Sequence, residues 1–198
     1  MAWKDQTANG VLFLVVGPSG VGKDTLIDVA AEQLAPTGHF HFAQRTITRP
    51  ASAGGEAHEP VDAATFDALI GAGAFAVHWR AHDTAYGIRW TALEPLRQSV
   101  NVVVNASRTA IDRFSAVAAH TTVISITAPP DLVHARLAER GREDADSIAA
   151  RLARRVEYRA DVPVIEIVND STPENGGCRM VEALRTAVRP YSVQCAET

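Results

Sequence analysis

Residues 11–34 read VLFLVVGPSGVGKDTLIDVAAEQL, and the order of residue types in this stretch decides the fold. Val11 to Val16 form an unbroken apolar run, short enough for a strand and apolar enough to be buried on both faces. From Leu26 the period changes. Leu26, Ile27, Ala30, Ala31 and Leu34 recur at helical spacing, and Pro36 and Gly38 stop the helix. Between them lies Gly17-Pro18-Ser19-Gly20-Val21-Gly22-Lys23-Asp24, which meets the pattern G-x-x-x-x-G-K in full. Glycines let the backbone curl until successive N–H groups point inward. The helix N-terminus adds partial positive charge, and Lys23 adds a full one. Strand, glycine loop and helix in this order make a phosphate-binding loop. The hydroxyl residue that usually follows the lysine is Asp24 here. A carboxylate at that place is a hard oxygen ligand for Mg2+. Alternatively, Asp24 is an acid favoured by the helix dipole, and Thr25 takes the metal.

Outward from this stretch, strand and helix patterns alternate. Strands are predicted at 100–105, 122–127 and 164–168, and helices at 107–119, from Asp131 to about 140, at 147–158 and at 178–188. This alternation predicts an α/β core with a mostly parallel sheet and helices on both faces. Ligands of such sheets bind beyond the carboxyl ends of the strands. Gly17–Lys23, Asn105–Arg108 and Asn169–Ser171 all follow strands and should share one rim. Residues 39–90 break the rhythm. Phe40 and Phe42 alternate with polar residues, and Arg45–Arg49 continues as a strand. Pro50 to Pro60 is a Gly- and Ala-rich loop. Asp62 can cap a helix with Phe66, Leu69 and Ile70 on one face, ended by Gly71 and Gly73. Phe75 to Trp79 is a strand, 80–88 a loop, and 91–98 a helix interrupted at Pro95. One domain spans 1–198. Its core is 11–38, 91–134 and 156–190, its insert 39–90, and its lid 135–155.

The 198 residues suffice for one well-formed core, and 46% hydrophobic content marks a globular chain. A net charge of −4 without a long basic run argues against a nucleic-acid or membrane binder. No run approaches a membrane span, and MAWKDQTANG shows no secretory signal. Cys178 and Cys195 lack metal-ligand spacing, which suits free thiols in a reducing cytoplasm. Oligomeric state is not fixed by the sequence, and a homodimer stays open. Arg136, Arg140, Arg142, Arg151, Arg154 and Arg155 are concentrated in one segment interrupted at Gly141. Arg136 and Arg140 share a helix face, as do Arg151 and Arg155. They could swing over a bound triphosphate and offset the charge of phosphoryl transfer. The neighbouring Glu139, Glu143, Asp144 and Asp146 allow a plainer reading as solvated ion pairs.

GPSGVGKD, TITRP, AYG, ERGRE…IAARLARR and VND, in this order, resemble the guanylate kinase-like family across residues 11–171. The resemblance implies a P-loop fold of the nucleoside monophosphate kinase type, ATP with Mg2+, and small-molecule substrates only. It implies that Gly17 to Asp24, Thr25 and Asn169 face ATP, and that Arg49 and Tyr86 hold the acceptor phosphate. Arg136, Arg140 and Arg151 match the lid arginines. The base-reading positions depart from the pattern. Ser52 replaces an arginine, Phe75-Ala76-Val77-His78-Trp79 lacks a glutamate, Ile88 replaces a hydroxyl, and Asn105 and Ser107 replace acids. Without those acceptors a guanine site cannot select its base. GPSG-x-GKD, R-x-ITRP, GGE-x-H and VN-x-SR are more similar to the ribose 1,5-bisphosphate phosphokinases of phosphonate breakdown. That likeness implies transfer from ATP to the 1-phosphate of a sugar bisphosphate, giving phosphoribosyl diphosphate. Asn105, Ser107 and Arg108 then fall on the substrate side. Arg45, His58, His78 and Arg80 are candidates for the second phosphate, unless Arg45 and His58 only orient Glu56 or Glu59. Two rivals remain at this stage: a nucleoside monophosphate kinase, and a non-catalytic binding module. The intact Gly22-Lys23 speaks against the latter.

Overall fold

The computed structural model describes residues 10–50, 56–81, 83–139 and 162–192. The apolar run becomes strand β1 (Leu12–Val16), and every residue in it is buried. Its side chains alternate between two cores. Phe13 and Val15 join one cluster; Leu12, Leu14 and Val16 join the other. Such a strand must lie inside a sheet, and it does. Five parallel strands run in the order β2 (Phe40–Phe42), β7 (Asn101–Asn105), β1, β8 (Thr121–Thr127), β9 (Val164–Val168). Helix α1 (Lys23–Leu34) buries Leu26, Ala30 and Leu34 on one face. Helix α6 (Pro173–Ser192) adds Met180, Val181 and Leu184 to that core. The other face packs Leu93 of α3 (Trp90–Leu93), Ile111 and Phe114 of α4 (Ile111–Ser115), and Trp79. Helix α5 (Pro130–Glu139) follows β8.

The insert is a sheet in its own right. Its strands are ordered β4 (Glu59–Pro60), β3 (Thr46–Ile47), β6 (Thr84–Arg89), β5 (Phe75–Ala81). Helix α2 (Ala63–Gly71) covers one face, with Phe66 stacked on Phe75 at 4.7 Å. Asp62 caps this helix as expected, accepting from the Thr65 N–H at 2.7 Å. Glu59 takes two hydrogen bonds from Arg89 and one from the Thr46 hydroxyl, tying β4, β3 and β6 together.

Several boundaries differ from the sequence reading. Phe40–Phe42 belongs to the parallel sheet, paired with β7, so the second sheet begins only at Thr46. The expected loop 80–88 is largely strand. Tyr86 pairs with Trp79 and Gly87 with His78, after a turn in which Asp83 takes φ 58°. Helix 91–98 tightens into a 3-10 turn at Glu94–Gln98, where Pro95 has no N–H to give. The helix expected at 107–119 is a 3-10 turn, Arg108–Ala110, followed by the short α4. Asp131 lies inside the first turn of α5 and does not cap it, because the helix starts at Pro130. The last helix starts at Pro173, not near Cys178. Its Gly176-Gly177 pair lies within the helix. In the fold it permits contact, since a Cβ on Gly177 would run into Val29 of α1. Among the described residues no helix is long and apolar enough to cross a membrane. The expected helix 147–158 lies outside the described residues.

Candidate active site

The loop after β1 leads into α1 at Gly22, whose φ of 90° favours glycine. A side chain there would also be blocked, because its Cβ would stand 2.5 Å from Asn169 Nδ2. Two side chains converge on the same loop from behind. Asn169 donates to the Val21 carbonyl at 2.7 Å, and Arg136 of α5 donates to it at 3.3 Å. The backbone N–H of Asn169 is held by the carbonyl of Thr127, at the end of β8. The buried Oδ1 of Asn169 has no hydrogen-bond partner.

Lys23 bends back over the loop and donates to the carbonyls of Gly17 and Pro18, each at 2.9 Å. Desolvation by burial lowers its pKa to about 8. Asp24 and Glu56 pull that value up, and Arg45 and Arg108 push it down, so all four charges act on one ammonium. Ser107 lies beside Arg108 at the end of β7. Its hydroxyl accepts from the Thr109 N–H at 3.3 Å and meets the Thr109 hydroxyl at 2.9 Å.

Asn105, the last residue of β7, connects the acids. Its amide donates to Asp24 Oδ1 at 2.8 Å and to Glu56 Oε2 at 2.6 Å. Glu56 Oε1 in turn accepts from Arg45 Nε in a tight, largely buried ion pair. Arg45 stacks over Tyr86, with its guanidinium carbon 5.0 Å from the ring centroid. Tyr86 lies parallel to Trp79 at 5.5 Å. Asp24, Asn105, Glu56 and Arg45 thus form one hydrogen-bonded chain from the phosphate loop to the second sheet. Arg49 follows β3 in the same segment, and its Nε is buried without a partner. A buried cationic donor with no acceptor is suited to an anion. Thr25 is exposed on the first turn of α1.

Three of the sequence candidates are placed elsewhere. His58 is buried, but its Nδ1 faces the Glu56 carbonyl and its Nε2 the Arg49 carbonyl, both at 3.0 Å. It braces main chain and presents no free nitrogen to a ligand. His78 and Arg80 are exposed on β5, on the face opposite Val77 and Trp79. Strand alternation therefore sends them away from Tyr86, and Arg80 pairs with Asp67 at 2.8 Å. Arg140 and Arg151 lie outside the described residues. Glu56 is the residue that the sequence reading passed over as a site member. The GGE-x-H motif carried the signal, but its partners are remote in sequence.

No family model matches the chain. A guanylate kinase from Anaplasma phagocytophilum superposes with a TM-score of 0.65 at 19% identity, over 91% of this chain and 87% of that one. A sugar kinase from Janibacter superposes with a TM-score of 0.53 at 18% identity, over 89% and 95%. At such identities these show the fold alone. Curated relatives are nearer. A bifunctional ribose 1,5-bisphosphokinase-thymidine phosphorylase from Azorhizobium caulinodans is 48% identical over 177 residues, 89% of this chain. The chain spans only 26% of that relative's length. The ribose 1,5-bisphosphate phosphokinase PhnN of Agrobacterium fabrum is 41% identical over 175 residues, covering 88% of this chain and 96% of that protein. With 88% of this chain aligned at this identity to 96% of that relative, and a P-loop kinase fold beneath them, this chain belongs to the ribose 1,5-bisphosphate phosphokinase family.

Proposed function

We propose that this protein transfers the terminal phosphoryl group of ATP to the 1-phosphate of ribose 1,5-bisphosphate, within phosphonate degradation. The products are 5-phosphoribosyl 1-diphosphate and ADP. One observation carries the reading beyond the family name. Lys23 sits on the phosphate loop with Arg45 and Arg108 close to it, while an amide, Asn105, stands at the strand end. A site rich in cations, whose acids Asp24 and Glu56 are already bonded to Asn105 and Arg45, fits an acceptor that has phosphates and no base.

In this reading the loop from Gly17 to Gly22 and Lys23 cradle the donor phosphates, and Asn169 and Arg136 hold the loop in shape. Arg49, with its unpartnered Nε, and Tyr86 fix the acceptor's 1-phosphate. Asn105, Ser107 and Arg108 line the acceptor side. Arg140 and Arg151 close over the reacting groups from the lid, whose first turn Arg136 ties to the phosphate loop. No general base is required, because an acceptor phosphate oxygen is already ionised near neutral pH. Residues 39–90 bring the acceptor and residues 135–155 exclude water, so that transfer wins over hydrolysis.

The residues fit a magnesium ion. Among the described residues no group of three or more His, Cys, Asp or Glu could hold a metal unaided. Nucleotide-bound Mg2+ needs no such cage. It takes one or two carboxylates, phosphate oxygens and water. Asp24, one of whose oxygens accepts from Asn105, supplies a carboxylate, and Thr25 a nearby hydroxyl. When bound, the ion neutralises charge on the donor phosphates. The direct test is an ADP-release assay with ribose 1,5-bisphosphate beside GMP. Turnover with the sugar and little with GMP supports the reading; the reverse order returns the protein to the nucleoside monophosphate kinases.

A further inference from the structure

Arg45 is a cation that neither the phosphate loop nor the acceptor pair Arg49 and Tyr86 accounts for. It immediately precedes β3 on the second sheet, yet hydrogen bonds through Glu56 and Asn105 tie it to Asp24, the residue after Lys23, on the first. Two contacts hold it there: the ion pair through Nε with Glu56, and the stack on Tyr86 at 5.0 Å. Glu56 is itself anchored, since its second oxygen accepts from Asn105 Nδ2 at 2.6 Å. The amide of Asn105 has two hydrogens, and the other goes to Asp24 at 2.8 Å. A guanidinium has five N–H donors. Glu56 takes the one on Nε, and among the described residues the two outer amino groups have no hydrogen-bond partner.

We propose that Arg45 is a catalytic arginine that meets the phosphoryl group in transit between donor and acceptor, and that Glu56 is the positioning residue that aims it. This rests on the phosphoryl-transfer reading above. The alternative use of Arg45 is a grip on the acceptor's second phosphate. Its hydrogen-bonded chain through Glu56 and Asn105 instead ties it to Asp24, the residue after the lysine of the phosphate loop, at the junction of the two sheets. A guanidinium fixed there before the reaction can stabilise the spread charge of the transition state without reorganising.

Kinetics of variants separate the two uses. Arg45→Ala is expected to lower kcat about a hundredfold and leave KM for ribose 1,5-bisphosphate within about threefold. Arg45→Lys should recover part of the loss, as charge returns without the fork. Glu56→Gln keeps an oxygen for Asn105 but loses the acceptor for Nε, so it should lower kcat as well. The double variant should be no slower than Arg45→Ala alone, because both act through one guanidinium. A second readout needs no acceptor. The wild type should bind ADP more tightly when aluminium fluoride is present to imitate the phosphoryl group, and Arg45→Ala should lose that gain in calorimetry. Wild-type turnover tests the proposed function; the retained or lost gain with aluminium fluoride tests Arg45 independently. A KM rise at constant kcat, an additive double variant, or a full gain retained in Arg45→Ala would each overturn the proposal. If Arg45→Ala fails to fold, Arg45→Lys and Glu56→Gln carry the same comparisons.

Discussion

Lys23 has exchanged water for two main-chain carbonyls, and this sets how it responds to pH. Its pKa in the free protein, about 8, lies below the ordinary lysine value of 10.5. A bound phosphate favours the ammonium, so binding above pH 8 must also take up a proton. Nucleotide affinity is therefore expected to fall as pH rises through about 8, approaching tenfold per pH unit, and calorimetry across pH 7–10 checks it. For stability the sign is opposite. Between about 8 and 10.5 the unfolded chain binds the proton and the folded one does not, so this group's contribution to stability rises with pH there. Lys23→Ala should nearly abolish transfer while leaving the thermal midpoint of the free protein unchanged or higher. A large drop in midpoint would mean that Lys23 is structural. Asn105 invites a similar test. An Asp at 105 would face Asp24 and Glu56 with no proton to donate, so Asn105→Asp should destabilise the protein by about 1–3 kcal/mol in denaturant unfolding. Adding Asp24→Ser gives the new carboxylate one donor but leaves Glu56 Oε2 without one. The double variant should therefore recover activity only in part, and Glu56→Gln cannot complete the rescue because it removes the acceptor for Arg45 Nε; full recovery by the first two changes would show that the Glu56–Asn105 contact is dispensable.

At the scale of elements, the parts that the sequence disclosed are those written in short-range pattern. The β1–loop–α1 unit follows from an apolar run, a glycine loop and a helical period, all within residues 11–34. The helix at Asp62 was legible for the same reason, its cap and apolar face being local. The second sheet was not, because β3 pairs with β4 in parallel and with β6 in antiparallel order across long stretches of chain. A tyrosine–glycine pair such as Tyr86-Gly87 reads as a loop until its partner strand is known. Helix α6 begins earlier than the expected 178–188, and its Gly176 and Gly177 let it approach α1. Gly177→Ala tests that contact. Helix propensity favours alanine by about 1 kcal/mol, and overpacking against Val29 costs about 1–3 kcal/mol. The expected net is a lower denaturation midpoint. A higher one would show slack between the two helices.

Across the whole molecule, two sheets divide the work and meet at one point. The parallel sheet brings the phosphate loop, Asn105 and Asn169 to a common rim, which the strand order alone had indicated. The second sheet brings Arg45, Arg49 and Tyr86. Asn105 joins them, bonded to residues 81 positions before it on one side and 49 on the other. Such distant partners leave no trace in spacing or periodicity, which is why Glu56 emerged only from the fold, whereas the shared rim of Asp24 and Asn105 followed from their places after two strands. The clearest test of the account is phosphorus NMR of the protein incubated with ATP, Mg2+ and ribose 1,5-bisphosphate. The account predicts a new diphosphate on C1 of the sugar, formed in step with ADP, and a GMP efficiency lower by about a hundredfold or more. Phosphorylation of GMP at comparable efficiency, or ADP formed without a sugar diphosphate, would contradict it.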